Sequence, residues 1–185
     1  QRGLDSSVLA IRLMIERRPL EPAVRALLEA FFDADLGAMR LIPGVLGTGV
    51  TTVAGASGLT LGEWVFLAPS CAAPTWLRHP AGIELLAHEA VHVLQFRERG
   101  MVPFLTGYVG MYARARFTGK RHHSAYVQLT EERVAFAVQA RIRSLMHAVP
   151  TLPEVIAGGG VLDAGLLARV SAARGRLGRD GWSRL

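Results

Sequence analysis

One pentapeptide limits what this chain can fold into more than any other feature: His88-Glu89-Ala90-Val91-His92. Pro80 suits the first turn of a helix and Gly100 suits its stop, so the pattern predicts a helix over residues 80–99 with the pentapeptide in its middle. Residues four apart on a helix lie one turn above each other on the same face. Two imidazoles so placed can both reach one zinc ion at about 2.0–2.1 Å. Glu89 then points to the side of that pair, where it can take a proton from an activated water without binding the metal itself. Leu85, Leu86 and Ala87 precede the motif and Val93 and Leu94 follow it. In such apolar surroundings the ring nitrogens need partners. The plainer alternative is a pair of core histidines bonded to backbone or carboxylates.

A catalytic zinc needs a third protein ligand and an open position. A histidine six residues after His92, preceded by a glycine at 95, would supply it in one subclass of such sites. The chain has Glu98 and Gln95 there, so a carboxylate from a later helix is the remaining common choice. Glu131 and Glu132 open the next strong helix. Glu154, Asp163 and Asp180 lie beyond it and are weaker candidates. Periodicity slightly favours Glu131, which shares a stripe with Ala135, Val138, Ile142 and Leu145, whereas Glu132 lies at the border of that stripe. A carboxylate in a first helical turn also has a purely structural use, against the helix dipole. Glu84, one turn before His88, is a candidate to hold an imidazole in place.

Composition excludes several other classes. The 185 residues suit one domain with a real core, and half of them are hydrophobic, which argues against disorder. The single cysteine, Cys71, allows neither an internal disulfide framework nor a cysteine-based zinc finger. No run reaches the ~18 apolar residues of a membrane span, and no signal peptide shows. The net charge is +6, and all but one of the 21 basic residues are arginine. They are scattered; the densest stretch is Arg114, Arg116, Lys120 and Arg121, with little aromatic interleaving, so nucleic-acid binding is not expected. An anion-binding role for that stretch would show as strong salt dependence.

Along the chain, short helices are expected over residues 6–18 and 22–34, the second opened by Pro22. A strand is expected over 38–42. Residues 44–58 read as an irregular loop with one strand through 50–53. Residues 59–67 read as one strand, with Gly62 marking a bulge or a close backbone approach. Helices follow over 80–99, 103–117, 129–148 and 161–177, with a polar, basic loop over 118–124. Gly158-Gly159-Gly160 is a hinge or turn, since no phosphate-loop lysine follows it. The whole is one domain over 1–185: a helical N-terminal extension (1–18), a core (19–149) and a helical C-terminal extension (150–185).

Several segments together resemble the gluzincin-like peptidases of the eCIS core domain family, also termed DUF4157. The matching pieces are the stretch from Pro22 to Phe31, Ala34-Asp35-Leu36, Met39-Arg40-Leu41, and the stretch from Leu59 to Phe66. The most diagnostic is the run from Leu85 to Gln95. Tyr126 follows, with Glu132-Arg133-Val134-Ala135 after it. The family usually carries proline where Thr130 stands and a second glutamate where Val134 stands. The resemblance covers roughly residues 19–143. It implies an α+β, mainly helical, zincin-like fold: a small sheet of few strands beside an active-site helix, and a second helix carrying the glutamate ligand. It places Zn2+ on His88, His92 and Glu132, with Glu131 in reserve, and Glu89 as general base. Tyr126 is the candidate oxyanion donor, with His122 and His123 as rivals. The strand over 59–67 would offer its free edge to an extended peptide. The implied activity is zinc-dependent peptide hydrolysis on a peptide or protein substrate. The implied setting is the bacterial cytoplasm, with export as an effector allowed. The alternative is a non-catalytic, zinc-stabilised recognition or cargo module of an effector or injection particle.

Overall fold

The computed structural model describes residues 16–54, 56–103, 106 and 130–175. The expected helix over 103–117, the basic loop, Tyr126, His122 and His123 therefore lie almost entirely outside the described residues. The described elements run β1 (Arg18–Pro19), α1 (Pro22–Phe32), β2 (Arg40–Ile42), α2 (Gly44–Ala54), β3 (Gly58–Leu61) and β4 (Trp64–Leu67). A 3-10 turn (Pro69–Cys71) and α3 (Pro74–Leu77) lead into α4 (Pro80–Arg99). After the undescribed stretch come α5 (Thr130–Ala148), α6 (Thr151–Ala157) and α7 (Ala164–Gly175). The molecule is mainly helical with a small mixed sheet, as expected.

Four short strands form that sheet in the order β1-β2-β4-β3. β2 and β4 are parallel, while β1 and β3 add antiparallel at the two edges. The expected single strand over 59–67 is instead a hairpin. Leu61 pairs with Trp64 across a two-residue turn, and Gly62 opens that turn at φ +61°, a backbone region that favours glycine. The chain reads as continuous because apolar residues flank the turn on both sides. Arg97 of α4 clamps the turn by pairing both its Nε and an Nη with the Glu63 carboxylate, at 2.6 and 2.8 Å.

Two further expectations are corrected. Residues 44–54 form a helix, not an irregular loop with a strand. Three glycines and a run of threonines depress its local propensity. Packing on the sheet overrides that: a Cβ at Gly47 would stand 2.3 Å from the Ile42 carbonyl oxygen and 2.7 Å from that of Leu67. Buried Thr51 turns its hydroxyl back onto the Gly47 carbonyl at 2.8 Å, satisfying itself within the helix. At the N-terminal side, the expected helix over 6–18 lies mostly outside the described residues; its last residue, Arg18, pairs with Leu41 in the edge strand β1, where Pro19 faces Arg40.

The core lies where α1, α4 and α5 meet each other and one face of the sheet. Leu27, Leu28, Phe31, Met39, Ile83, Leu86 and Ile142 are essentially inaccessible. The helix α4 is buried over most of its length, so it is an internal element rather than an amphipathic surface helix. No described helix is long and apolar enough to cross a membrane.

Truncating a side chain at the centre of this core should cost far more than truncating one on the outer face of the same helix. Ile142→Ala should lower unfolding free energy by about 2–5 kcal/mol. Ser144→Ala, on the exposed side of α5, should change it by less than about 0.5 kcal/mol. Urea denaturation of both variants checks the placement of α5; similar losses for the two would contradict it.

Candidate metal centre

Helix α4 carries His88 and His92 on one face, and α5 brings Glu132 to them. All three are buried, with Glu132 only 2% exposed. The Nε2 atoms of the two imidazoles are 3.3 Å apart. Glu132 bridges the pair, Oε2 standing 3.3 Å from His88 Nε2 and Oε1 3.5 Å from His92 Nε2. Donor atoms placed tetrahedrally around an ion at the zinc–nitrogen distance stand about 3.3–3.4 Å from one another. The observed spacing fits that figure, so the three residues suit a divalent cation between them. Among the described residues they form the one group of histidine, cysteine and carboxylate side chains that could hold a metal ion.

The two adjacent glutamates are separated by the packing of α5 on α4. Glu132 meets the histidines, while Glu131 turns to Arg99, whose guanidinium donates to Oε1 at 2.6 Å. The choice that periodicity favoured is therefore reversed. Glu131 is buried as well, but as half of an ion pair that ties α5 to the C-terminal end of α4. Glu84 does not hold an imidazole either. It accepts three hydrogen bonds from the Arg143 guanidinium, at 2.5 to 3.0 Å, and so ties α5 to the first half of α4. Glu154 on α6 and Asp163 just before α7 do not join the group; Asp180 lies outside the described residues.

The residue that orients His92 is Gln95, at the position where the three-histidine subclass would carry glycine. Its Oε1 accepts from His92 Nδ1 at 2.9 Å, while its Nε2 donates to the Glu131 carbonyl oxygen at 3.4 Å. That second bond sets the amide the right way round, commits Nδ1 to carrying a proton, and leaves Nε2 to face Glu132. The signal was present: an amide three residues after a histidine shares its helix face. On the other side, the Phe136 ring stands edge-on to His88 with centroids 4.8 Å apart. Phe136 is 40% exposed, so it forms an apolar rim beside the donors.

Glu89 is 3% exposed and contributes no donor to the triad. It faces the sheet. The Thr60 hydroxyl of β3 donates to its Oε2 at 2.7 Å.

Burial works against a charged His92, but the Glu132 carboxylate overrides it by hydrogen bonding and charge, with help from Glu89 and Gln95. The result is a pKa raised to about 9. In the metal-free protein a protonated His92 thus neutralises a carboxylate that would otherwise be buried and uncompensated.

The resemblance to the eCIS core domain family is borne out over part of its span. Residues 19–100 match the family model of the eCIS core domain. The match runs from β1 to the end of α4 and includes His88, Glu89 and His92; Glu132 falls beyond it. No curated protein and no solved structure matches the chain.

A cation must displace the proton on His92 Nε2, so metal affinity should climb with pH up to about 9. Calorimetric Zn2+ titrations at pH 7 in buffers of different ionisation enthalpy should show close to one proton released at this site; none released would contradict the assignment. The sign for the metal-free fold is opposite. A pKa raised above the ordinary value of 6.5 adds stability that is complete below 6.5 and is lost as pH rises through about 9. Separately, Gln95→Ala should weaken Zn2+ binding by about 10- to 100-fold without unfolding the protein, as read by competition with a chromogenic chelator.

Proposed function

We propose that this chain, with its eCIS core domain over residues 19–100, is a zincin-like metallopeptidase of the gluzincin type that hydrolyses peptide bonds. The observation that carries this reading is the division of roles between two buried acids. Glu132 joins the two imidazoles, whereas Glu89, covalently next to His88 and equally buried, stays outside the donor set. A metal that merely staples a fold has no use for such a carboxylate, and hydrolysis needs a base. Two imidazoles and one carboxylate also match the three-ligand set of catalytic zinc sites.

Zinc held by His88, His92 and Glu132 would supply Lewis-acid chemistry, polarising the scissile carbonyl and acidifying a water. The chain's own residues do the rest. Gln95 keeps His92 Nε2 turned toward the site. Glu89 accepts a proton from the attacking water as the new C–O bond forms, and delivers it to the amine nitrogen as the C–N bond breaks. Strand β3 is an edge of the sheet and packs on α4, so an extended peptide pairing with it would lie over the site. Phe136 gives that peptide an apolar contact beside His88. Tyr126, outside the described residues, is the proposed oxyanion donor.

A second reading is a non-catalytic, zinc-stabilised recognition or cargo module of a bacterial effector or injection particle. The family's description and the deep burial of all three donors favour it. In that case a fourth protein ligand should close the coordination sphere.

Glu89→Gln separates the two. It should keep bound zinc and thermal stability while lowering peptide cleavage by about 10²- to 10⁴-fold, measured against denatured proteome peptides. Cleavage at the wild-type rate would remove Glu89 as the base. A wild-type protein that cleaves nothing, with a fourth protein ligand in its metal-loaded crystal structure, would establish the module instead.

A further inference from the structure

Among the described residues, three of the four buried carboxylates are in direct contact with cationic or ionisable nitrogen side chains, and the fourth takes its hydrogen bond from a neutral group. Glu84 is paired with Arg143, Glu131 with Arg99 and Glu132 with the imidazoles. Glu89, at 3% exposure, takes its hydrogen bond from a neutral hydroxyl, that of Thr60, 29 residues away in the sequence. The same hydroxyl lies 3.3 Å from the Glu89 backbone carbonyl oxygen, so it sits over both the side chain and the main chain of that residue. Two positions before Thr60, and so on the same face of β3, is Gly58. A Cβ there would stand 2.5 Å from Glu89 Oε1, 3.0 Å from Cδ and 3.2 Å from Cγ.

We infer that β3 is a cradle for Glu89, in which Thr60 is a positioning residue and Gly58 provides the space. The inference rests on the reading of Glu89 as the base. Thr60 engages Oε2, which leaves Oε1, lying against the bare Cα of Gly58, as the oxygen that exchanges the proton. A carboxylate on a three-torsion side chain would otherwise sample several rotamers, and a base must be held within about 0.5 Å of its working position. The cradle is part of the edge strand, so the segment available to pair with a substrate backbone is the one that holds the base. Ordering β3 by pairing would order Glu89 with it.

Three variants test this. Thr60→Val keeps shape and β-branching but removes the donor. Thr60→Ser restores the donor. Gly58→Ala fills the space, and the atoms it meets are the far end of a flexible side chain, so the carboxylate moves rather than the fold. The first readout needs no activity: the 13Cδ resonance of Glu89, assigned by its loss in Glu89→Gln, should shift in Thr60→Val and Gly58→Ala and return in Thr60→Ser. An unmoved resonance overturns the cradle. The second is kinetic: kcat should fall by about 10- to 100-fold in Thr60→Val with KM and zinc content unchanged, and recover to within about threefold in Thr60→Ser. A resonance that moves while kcat does not would overturn the positioning role. If the wild-type protein cleaves nothing, the peptidase reading falls with any role in positioning a base, while the resonance alone still decides whether Thr60 holds Glu89.

Discussion

A carboxylate taken out of water without compensation costs several kcal/mol, so each buried one dictates where a partner must stand. Helices α4 and α5 carry four such groups. Arg143 and Arg99 reach two of them from opposite helices, so the pairs Glu84–Arg143 and Glu131–Arg99 fix how α5 lies against α4 at two points along its length. The apolar contacts of Ile83, Leu86, Val138 and Ile142 supply the bulk of the burial, but they are tolerant of small shifts in register. The ion pairs are not. With α5 held in that register, Glu132 has one place to go, and it goes between His88 and His92.

The candidate metal centre is thereby tied to the fold through several contacts. Gln95 joins His92 to the main chain of α5 at Glu131. Phe136, one turn beyond Glu132, covers His88. On the far side Glu89 turns away from α5 and into the sheet, where Gly58 and Thr60 receive it. The two acids of the site therefore belong to two different interfaces of α4, one with a helix and one with a strand. That separation leaves Glu132 among the possible metal donors and Glu89 outside them.

Local rules read much of this correctly. The Pro80 start and Gly100 stop bracket α4 as expected, and α1 and α5 follow their apolar periodicity. They failed where long-range packing outweighed local preference. Helix α2 has the composition of a loop and is helical because the sheet leaves room only for a narrow, glycine-bearing helix face. The hairpin β3–β4 hides in an apolar run because both of its strands are partly buried and alternation is lost. Glu131 and Glu132 are neighbours about 100° apart around a helix, so both can border the core face, and the slight lean of periodicity toward Glu131 is outweighed by packing.

The pairing of His88 with His92, and the placement of Glu89 beside them, was determined by the sequence alone. A four-residue spacing on a helix is a property of the local backbone and holds wherever that helix is put. The third donor, the amide that orients His92 and the hydroxyl that holds Glu89 were decided by tertiary structure. Each comes from a contact whose existence depends on the register of one packed element against another. In the case of Gln95 only the histidine contact is local, while its anchor is on α5. Charge burial selected that register, through partners that are distant in sequence and become neighbours only once the helices and the sheet have closed on one another.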